Sequence, residues 1–217
     1  MKITDWENVH KFKFLSDDYD TMAVRIRELE WLADKIPEGE ILEFGVFQGV
    51  TINCLAFALP DRKIIGFDSF EGLPEDWDMG EKKTKKEAFD RGGEMPEVQD
   101  NVTLVKGFFD QTLPEYKKNL GKIGFLHADA DLYSSTKTVL TELNDLIVPG
   151  TIIRFDELCC WRHVFGEASP KKISRVKYTT WQEHEWKALL EWMNDYNRKV
   201  IPLCRNWFQG GTVVVTQ

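Results

Sequence analysis

The chain is poor in cysteine, and its four, Cys54, Cys159, Cys160 and Cys204, form no C-x-x-C pair. The adjacent pair 159–160 is badly placed to bridge itself, so the sequence carries no disulfide framework and reads as a cytoplasmic protein with reduced thiols. It has no apolar run of membrane-spanning length, and Met1-Lys2-Ile3-Thr4-Asp5-Trp6 contains no hydrophobic leader core. There is no excess of positive charge: the formal net charge is -8 and the pI about 5.1. Nucleic acid and anionic membrane both reward a basic face, so neither is expected as a partner. A small neutral or cationic ligand remains compatible. Repeats and low-complexity segments are also missing. What is present is 217 residues, 42% hydrophobic and 29% charged, enough for one soluble globular domain with a substantial core.

Residues 1–20 read as a mixed aromatic and acidic arm. Met22, Ile26, Leu29, Ala33 and Ile36 recur at helical spacing, and Pro37-Glu38-Gly39 closes that helix. Short strands are predicted over 41–44, 63–67, 102–105, 123–128 and 151–155. Helices are predicted over 50–59, near 114–120, and along Val139, Leu140, Leu143 and Leu146, with Pro149-Gly150 turning into the last of these strands. Residues 71–100, rich in charge, glycine and proline, read as a lid or insertion. Thr180-Trp-Gln-Glu183 reads as a capping box opening a helix that carries Trp186, Leu189, Leu190 and Met193. Two strand-like runs, 199–204 and 212–216, end the chain as a hairpin. Alternating strands and helices imply a parallel sheet covered on both faces, with ligands at the strand tips.

Those tips carry acids. Glu43-Phe44-Gly45-Val46-Phe47-Gln48-Gly49 places an acid at a strand end and two glycines before a helix. Glycine permits positive φ and close approach to a ligand. Phe47 stands where the dinucleotide pattern G-x-G-x-x-G needs its second glycine, which argues against a nicotinamide or flavin dinucleotide. Asp68 ends the next strand, 25 positions after Glu43. Nucleoside-binding α/β proteins place a ribose-binding acid there. A solvated turn is the plainer reading of Asp68 taken singly. Together, Glu43, Gly45, Gly49 and Asp68 favour a nucleoside ligand without phosphates, and an acid-lined cleft suits a sulfonium such as S-adenosylmethionine.

Five blocks then resemble the class I S-adenosylmethionine-dependent methyltransferases, within them the macrocin O-methyltransferase group, which acts on sugar hydroxyls of antibiotics and other glycosides. They are Glu43 to Gly49, Asp68-Ser-Phe-Glu-Gly-Leu-Pro74, Gly107-Phe-Phe-Asp-Gln-Thr-Leu-Pro114, His127-Ala-Asp-Ala-Asp-Leu-Tyr-Ser-Ser-Thr136, and Pro149-Gly to Asp156-Glu157. The second and fourth are specific; the glycine motif is not. The resemblance implies a doubly wound, seven-stranded, mostly parallel Rossmann-like α/β sheet with an antiparallel terminal strand, in a single domain spanning 1–217. It implies cofactor contacts at Glu43, Gly45, Gly49, Asp68, Ser69, Gly107 and Phe108. It also implies metal ligands at Asp129, Asp156 and Glu157, with Asp131 as the base. The family usually has two aspartates where this chain has Asp156-Glu157.

Carboxylates about 4 Å apart repel by roughly 4 kcal/mol at an effective dielectric near 20. Asp129, Asp156 and Glu157 in one place therefore call for protonation or a bridging cation. An all-oxygen set favours Mg2+, or Mn2+ or Ca2+, over zinc. Such an ion would serve an O-methyltransferase acting on a small glycoside, sugar or polyol; a catechol-like phenol acceptor and a non-catalytic cofactor-binding protein are the alternatives. Asp131 or Ser134 could instead cap a helix, and Asp156-Glu157 could be a solvated turn. His127 reads as a neighbour of the acids or a core histidine, and His163 as an outlying candidate base. Trp161, Trp181, Trp186 and Trp192 read as core or as sugar-stacking rings, and Lys82 to Lys86 as a solvated lid face. A homodimer is compatible with these features.

Overall fold

The computed structural model describes residues 11–15, 21–161, 164, 178–206 and 209–217. Its main sheet contains β1 (Lys13–Phe14), β2 (Glu40–Phe44), β3 (Ile64–Asp68), β6 (Val102–Lys106), β7 (Ile123–Ala128), β8 (Ile147–Phe155), β9 (Val200–Arg205) and β10 (Gly211–Val215). Between β3 and β6, β4 (Trp77–Asp78) and β5 (Lys83–Thr84) form a small hairpin. The strand order is β1-β9-β10-β8-β7-β2-β3-β6. Only β10 runs against its neighbours, inserted between β8 and β9. The expected seven-stranded sheet with an antiparallel last strand is therefore present, extended at one edge by the two residues of β1, which pair parallel to β9. Among the described residues no helix is long and apolar enough to cross a membrane. None of the four cysteines is in a disulfide.

Alternation along the strands divides the core. Leu42, Phe44, Leu126, Ala128, Ile153 and Phe155 face one side, beneath α3 (Phe109–Tyr116), α4 (Tyr133–Glu142) and α5 (Glu185–Asp195). Ile41, Phe125 and Ile152 face the other, beneath α1 (Thr21–Ala33) and α2 (Val50–Ala58). Burial of a strand on both faces explains the near-continuous apolar runs.

Several local readings need correction. Of the stripe expected on the first helix, Leu29, Ala33 and Ile36 are buried, but Met22 and Ile26 are only partly so, and Val24, Glu28 and Leu32 are buried as well. α3 starts at Phe109 and carries Pro114 inside it, ahead of the predicted start. Pro149-Gly150 is not a turn before a strand but lies within β8, as an irregularity where the pairing passes from Ile123–Ile147 to Phe125–Ile152. Thr180 does not cap a helix with its side chain: its hydroxyl donates to the Asp78 carbonyl (2.6 Å), and a 3-10 turn over Trp181–Glu183 precedes α5. The connection from β3 to β6, which includes the irregular residues 71–100, holds the β4–β5 hairpin. It is tied to the segment before α5 by a bridge between Gly80 and Tyr178 and by Thr179 N–H donating to the Met79 carbonyl (3.1 Å).

The sheet register also creates a polar row through the core. Glu43 pairs with His127, His127 with Arg154, Arg154 with Thr212, and Thr212 with Cys204. Their side chains share the α1 face, and Glu28 of α1 completes the row. It accepts from Arg154 Nη2 (3.1 Å), Asn206 Nδ2 (3.2 Å) and the Thr212 hydroxyl (3.3 Å). The polar Glu28 is drawn inward with the apolar stripe of α1 because it meets the fully buried Arg154. Breaking a buried ion pair from one side leaves a charge without compensation. Arg154→Met is expected to lower unfolding free energy by about 3–5 kcal/mol, and adding Glu28→Gln to recover part of that loss. Urea denaturation measures both; a single-variant loss below about 1 kcal/mol would refute the account.

Candidate functional site

One residue beyond the paired Phe44, Ala128 and Phe155, the strand tips stay in step. Gly45 N–H donates to the Phe67 carbonyl, Asp129 N–H to Phe44 and Asp156 N–H to Ala128, each at 2.9 Å. Gly45, Asp129 and Asp156 therefore sit side by side, directly above Glu43, His127 and Arg154. Gly45 has φ 91°, and a Cβ there would stand 1.8 Å from the Asp129 carbonyl oxygen. The tips can approach this closely only because that residue has no side chain.

Asp68 organises the loop after β2. Its Oδ2 accepts from Val46 N–H and Phe47 N–H (both 2.8 Å), and its Oδ1 from Phe70 N–H (2.7 Å). A carboxylate has roughly four acceptor directions, so one is left for a ligand. Phe47 takes a left-handed conformation, φ 47°, at the place of the missing glycine. Its ring meets Phe89 edge-on at 5.4 Å. Gly45, Asp68, Ser69 and Phe108 all line a cavity of about 600 Å3, which also takes in Asp129, Asp131 and Glu157. Glu43, Gly49 and Gly107 do not line it. Glu43 is fully buried, accepting from the Thr51 hydroxyl (2.9 Å) and bonded to His127 Nδ1 (2.8 Å). Gly49 precedes α2 with φ 78°.

The acids come together as the strand ends predict, but protein cations already face them. Arg25 of α1 contacts Asp156 Oδ2, lies 3.3 Å from Glu157 Oε1 and 3.8 Å from Asp129 Oδ2. Arg154 donates to Asp156 Oδ1 (2.7 Å) and to His127 Nε2 (2.5 Å). A guanidinium only donates, so His127 Nε2 accepts and Nδ1 carries the proton toward Glu43. Burial, reinforced by Arg154, holds His127 well below the usual histidine range. His127 is thus a neutral strut of the core, one of the two roles expected for it.

The carboxyls differ in ionisation. Burial opposes the charge on Asp156, but Arg25 and Arg154 outweigh it and keep the group below the ordinary carboxylate range. Asp129 is pushed up to about 7, by burial and then by the charge of Asp156. Asp131 and Glu157 are driven well above their ordinary values, first by burial and then by the neighbouring acids. Glu185, at the start of α5, was absent from the sequence reading. It is fully buried; its Oε2 accepts from Glu157 N–H (2.9 Å), while its Oε1 has no hydrogen-bond partner among the described residues. Glu157 Oε2 also lacks one.

Among the described residues, two carboxylate-containing groups have ligand atoms within 4.8 Å of one another: His127, Asp129 and Asp156, and Asp129, Asp131 and Glu157. The set Asp129, Asp156 and Glu157 is divided between them, with Asp129 common to both. Asp156-Glu157 is no solvated turn, since both residues are buried. Nor does Asp131 cap α4: Leu132 occupies the cap position and no side chain bonds there. The Ser134 hydroxyl donates instead to Glu75 Oε1 (2.5 Å). Asp131 adopts φ 58° and lines the cavity. Left-handed backbone at a non-glycine residue is costly and concentrates at functional sites.

Trp161, Trp181, Trp186 and Trp192 are buried core residues, none of them on the cavity. Trp77 of β4 is the tryptophan that lines it, with Met79 and Phe89. No pattern local to residues 71–100 singled it out. Lys83 and Lys85 pair with Asp78 (3.3 Å) and Asp76 (2.6 Å) on an exposed surface, whereas Lys82 reaches the cavity lining. His163 lies outside the described residues. Arg25 and Glu28 went unrecognised because both are ordinary residues in an amphipathic helix.

The sequence matches the macrocin-O-methyltransferase (TylF) family over residues 21–169. It is 28% identical over 149 residues to 8-demethyl-8-(2,3-dimethoxy-alpha-L-rhamnosyl)-tetracenomycin-C 4'-O-methyltransferase of Streptomyces olivaceus, covering 58% of this chain and 55% of that one. It is 28% identical over 150 residues to demethyldecarbamoylnovobiocin O-methyltransferase of Streptomyces niveus, covering 59% and 56%. The chain thus spans about half the length of the curated relatives it matches. Its fold is that of the calicheamicin methyltransferase CalS11, with TM-score 0.63, 22% identity, and 88% and 79% of the two chains covered. Gly45→Ala is expected to lower stability by at least about 2 kcal/mol, through its positive φ and the contact with Asp129. Thermal or urea unfolding checks this; an unchanged midpoint would contradict the packing of the tips.

Proposed function

The chain belongs to the macrocin O-methyltransferase family, and on that footing we propose that it is an S-adenosylmethionine-dependent O-methyltransferase. Its acceptor is a hydroxyl of a small glycoside, sugar or polyol, and a divalent cation assists. The observation that carries this reading is that a single cavity unites the loop after β2, Asp68, Ser69 and Phe108 with the acids Asp129, Asp131 and Glu157. Its volume lies within the range of small-molecule sites. The rhamnosyl acceptor in the name of the Streptomyces olivaceus relative supports the glycoside class.

S-adenosylmethionine, when bound, would supply the methyl group, with S-adenosylhomocysteine as the other product. Asp68 offers its remaining acceptor direction to a ribose hydroxyl, and Gly45 and Phe108 shape the adjoining wall. Trp77, Met79 and Phe89 exclude water from the cavity side opposite the strand tips. Asp131, turned into the cavity by its left-handed backbone, is placed to take the proton released by the acceptor hydroxyl when its carboxyl is ionised.

The donor set fits a hard cation: carboxylate oxygens dominate, and Glu157 Oε2 is buried without a hydrogen-bond donor. Asp129 would hold it with Glu157 or with Asp156, Asp131 standing beside it as the base, and the ion would lower the pKa of the acceptor hydroxyl. The cation is Mg2+, Mn2+ or Ca2+ by this chemistry.

Calorimetry with S-adenosylhomocysteine is expected to show binding; none at millimolar ligand would defeat the cofactor assignment. In a transferase assay EDTA is expected to suppress the rate, and full activity in chelator would remove the metal. Asp131→Asn is expected to lower kcat by about 10²–10⁴-fold while S-adenosylhomocysteine affinity stays near wild type. An unchanged kcat would take the base role from Asp131.

A further inference from the structure

The acids proposed to hold a divalent cation are bridged by a side chain from another part of the chain. Arg25 reaches Asp156, Glu157 and Asp129 together and lines the cavity, with 23% of its side chain exposed. Three residues along the same helix, Glu28 is buried and anchored by Arg154, Asn206 and Thr212. Arg154 occupies the inner side of Asp156, leaving its Oδ2 to Arg25. We propose that Arg25 is the resident counter-ion of the acidic cluster and that a divalent cation binds by displacing its guanidinium.

This inference rests on the metal reading above and adds a residue that opposes metal entry. A guanidinium and a dication drawn to the same carboxylates repel each other, and Arg25 already stands within reach of three of them. The cluster cannot dispense with both, because buried carboxylates without a cation would protonate or destabilise the fold. Glu28 pins the helix, so the exchange is a swing of the Arg25 side chain into the adjoining cavity and not a shift of α1. Arginine suits this role because its charge persists at every physiological pH. Metal occupancy is thereby set against an internal competitor, and a loaded site has Arg25 released toward the acceptor space.

Isothermal titration of MnCl2 into wild type and Arg25→Met tests the exchange without any turnover. The variant is expected to bind Mn2+ about tenfold or more tightly, within the usual range of coupling between two sites. Its melting temperature without metal should be lower, with a larger rise on adding Mn2+. Equal affinities in the two proteins would overturn the exchange while leaving the metal site standing. No binding by either would overturn the metal reading and this inference with it. Should Arg25→Met fail to fold, the wild type alone decides. The side-chain Nε–H resonance of Arg25, assigned by its loss in Arg25→Gln or Arg25→Lys, should shift and sharpen with saturating MgCl2. A resonance unmoved while calorimetry records Mg2+ binding would refute the displacement.

Discussion

Burying several carboxylates at adjoining strand ends is the constraint on which this site depends. Such groups are tolerated inside a protein only when paired, protonated or bound to a cation. Arg154, rooted in β8 and wholly buried, answers half of that requirement by bonding Asp156, His127 and Glu28 at once. Arg25 answers much of the rest from α1. The raised Asp129, Asp131 and Glu157 carboxyls express what these two cations leave uncompensated.

The same pairing joins stability to chemistry. Glu43, His127, Arg154 and Glu28 cross the sheet immediately below Gly45, Asp129 and Asp156, so the floor of the site is a hydrogen-bonded network of the core. Asp68 belongs to that scaffold too: its bonds to Val46, Phe47 and Phe70 hold the loop open toward the cavity. Orientation of reacting groups contributes much of the rate of displacement reactions, and it requires side chains held by a rigid surround. The β4–β5 hairpin completes the enclosure. Held by Thr180 and His184 through the Asp78 carbonyl, it brings Trp77 over the strand tips.

Much of the architecture was legible in local pattern. Apolar runs of strand length, the helical stripe beneath them and acids at residues 68, 129, 131, 156 and 157 gave the parallel sheet and its functional end. The misreadings share a cause. Thr180-Trp-Gln-Glu183 has the composition of a capping box, yet the Thr180 hydroxyl is drawn to a carbonyl 102 residues away. Asp131 has the composition of a cap, yet a left-handed backbone turns it into the cavity. Pro149-Gly150 looks like a turn, yet neighbouring strands carry β8 through it.

By itself the sequence determined where chain segments must be buried, where strands must end, and which of those ends bear acids. These properties depend on residues a few positions apart. Tertiary structure alone decided how the acids are neutralised. Arg25 meets Glu157 across 132 residues, Arg154 meets Glu28 across 126, and Glu185 meets the Glu157 backbone across 28. The reason is electrostatic: a buried charge accepts its partner from whichever element the packing brings within reach, and no spacing along the chain encodes that choice.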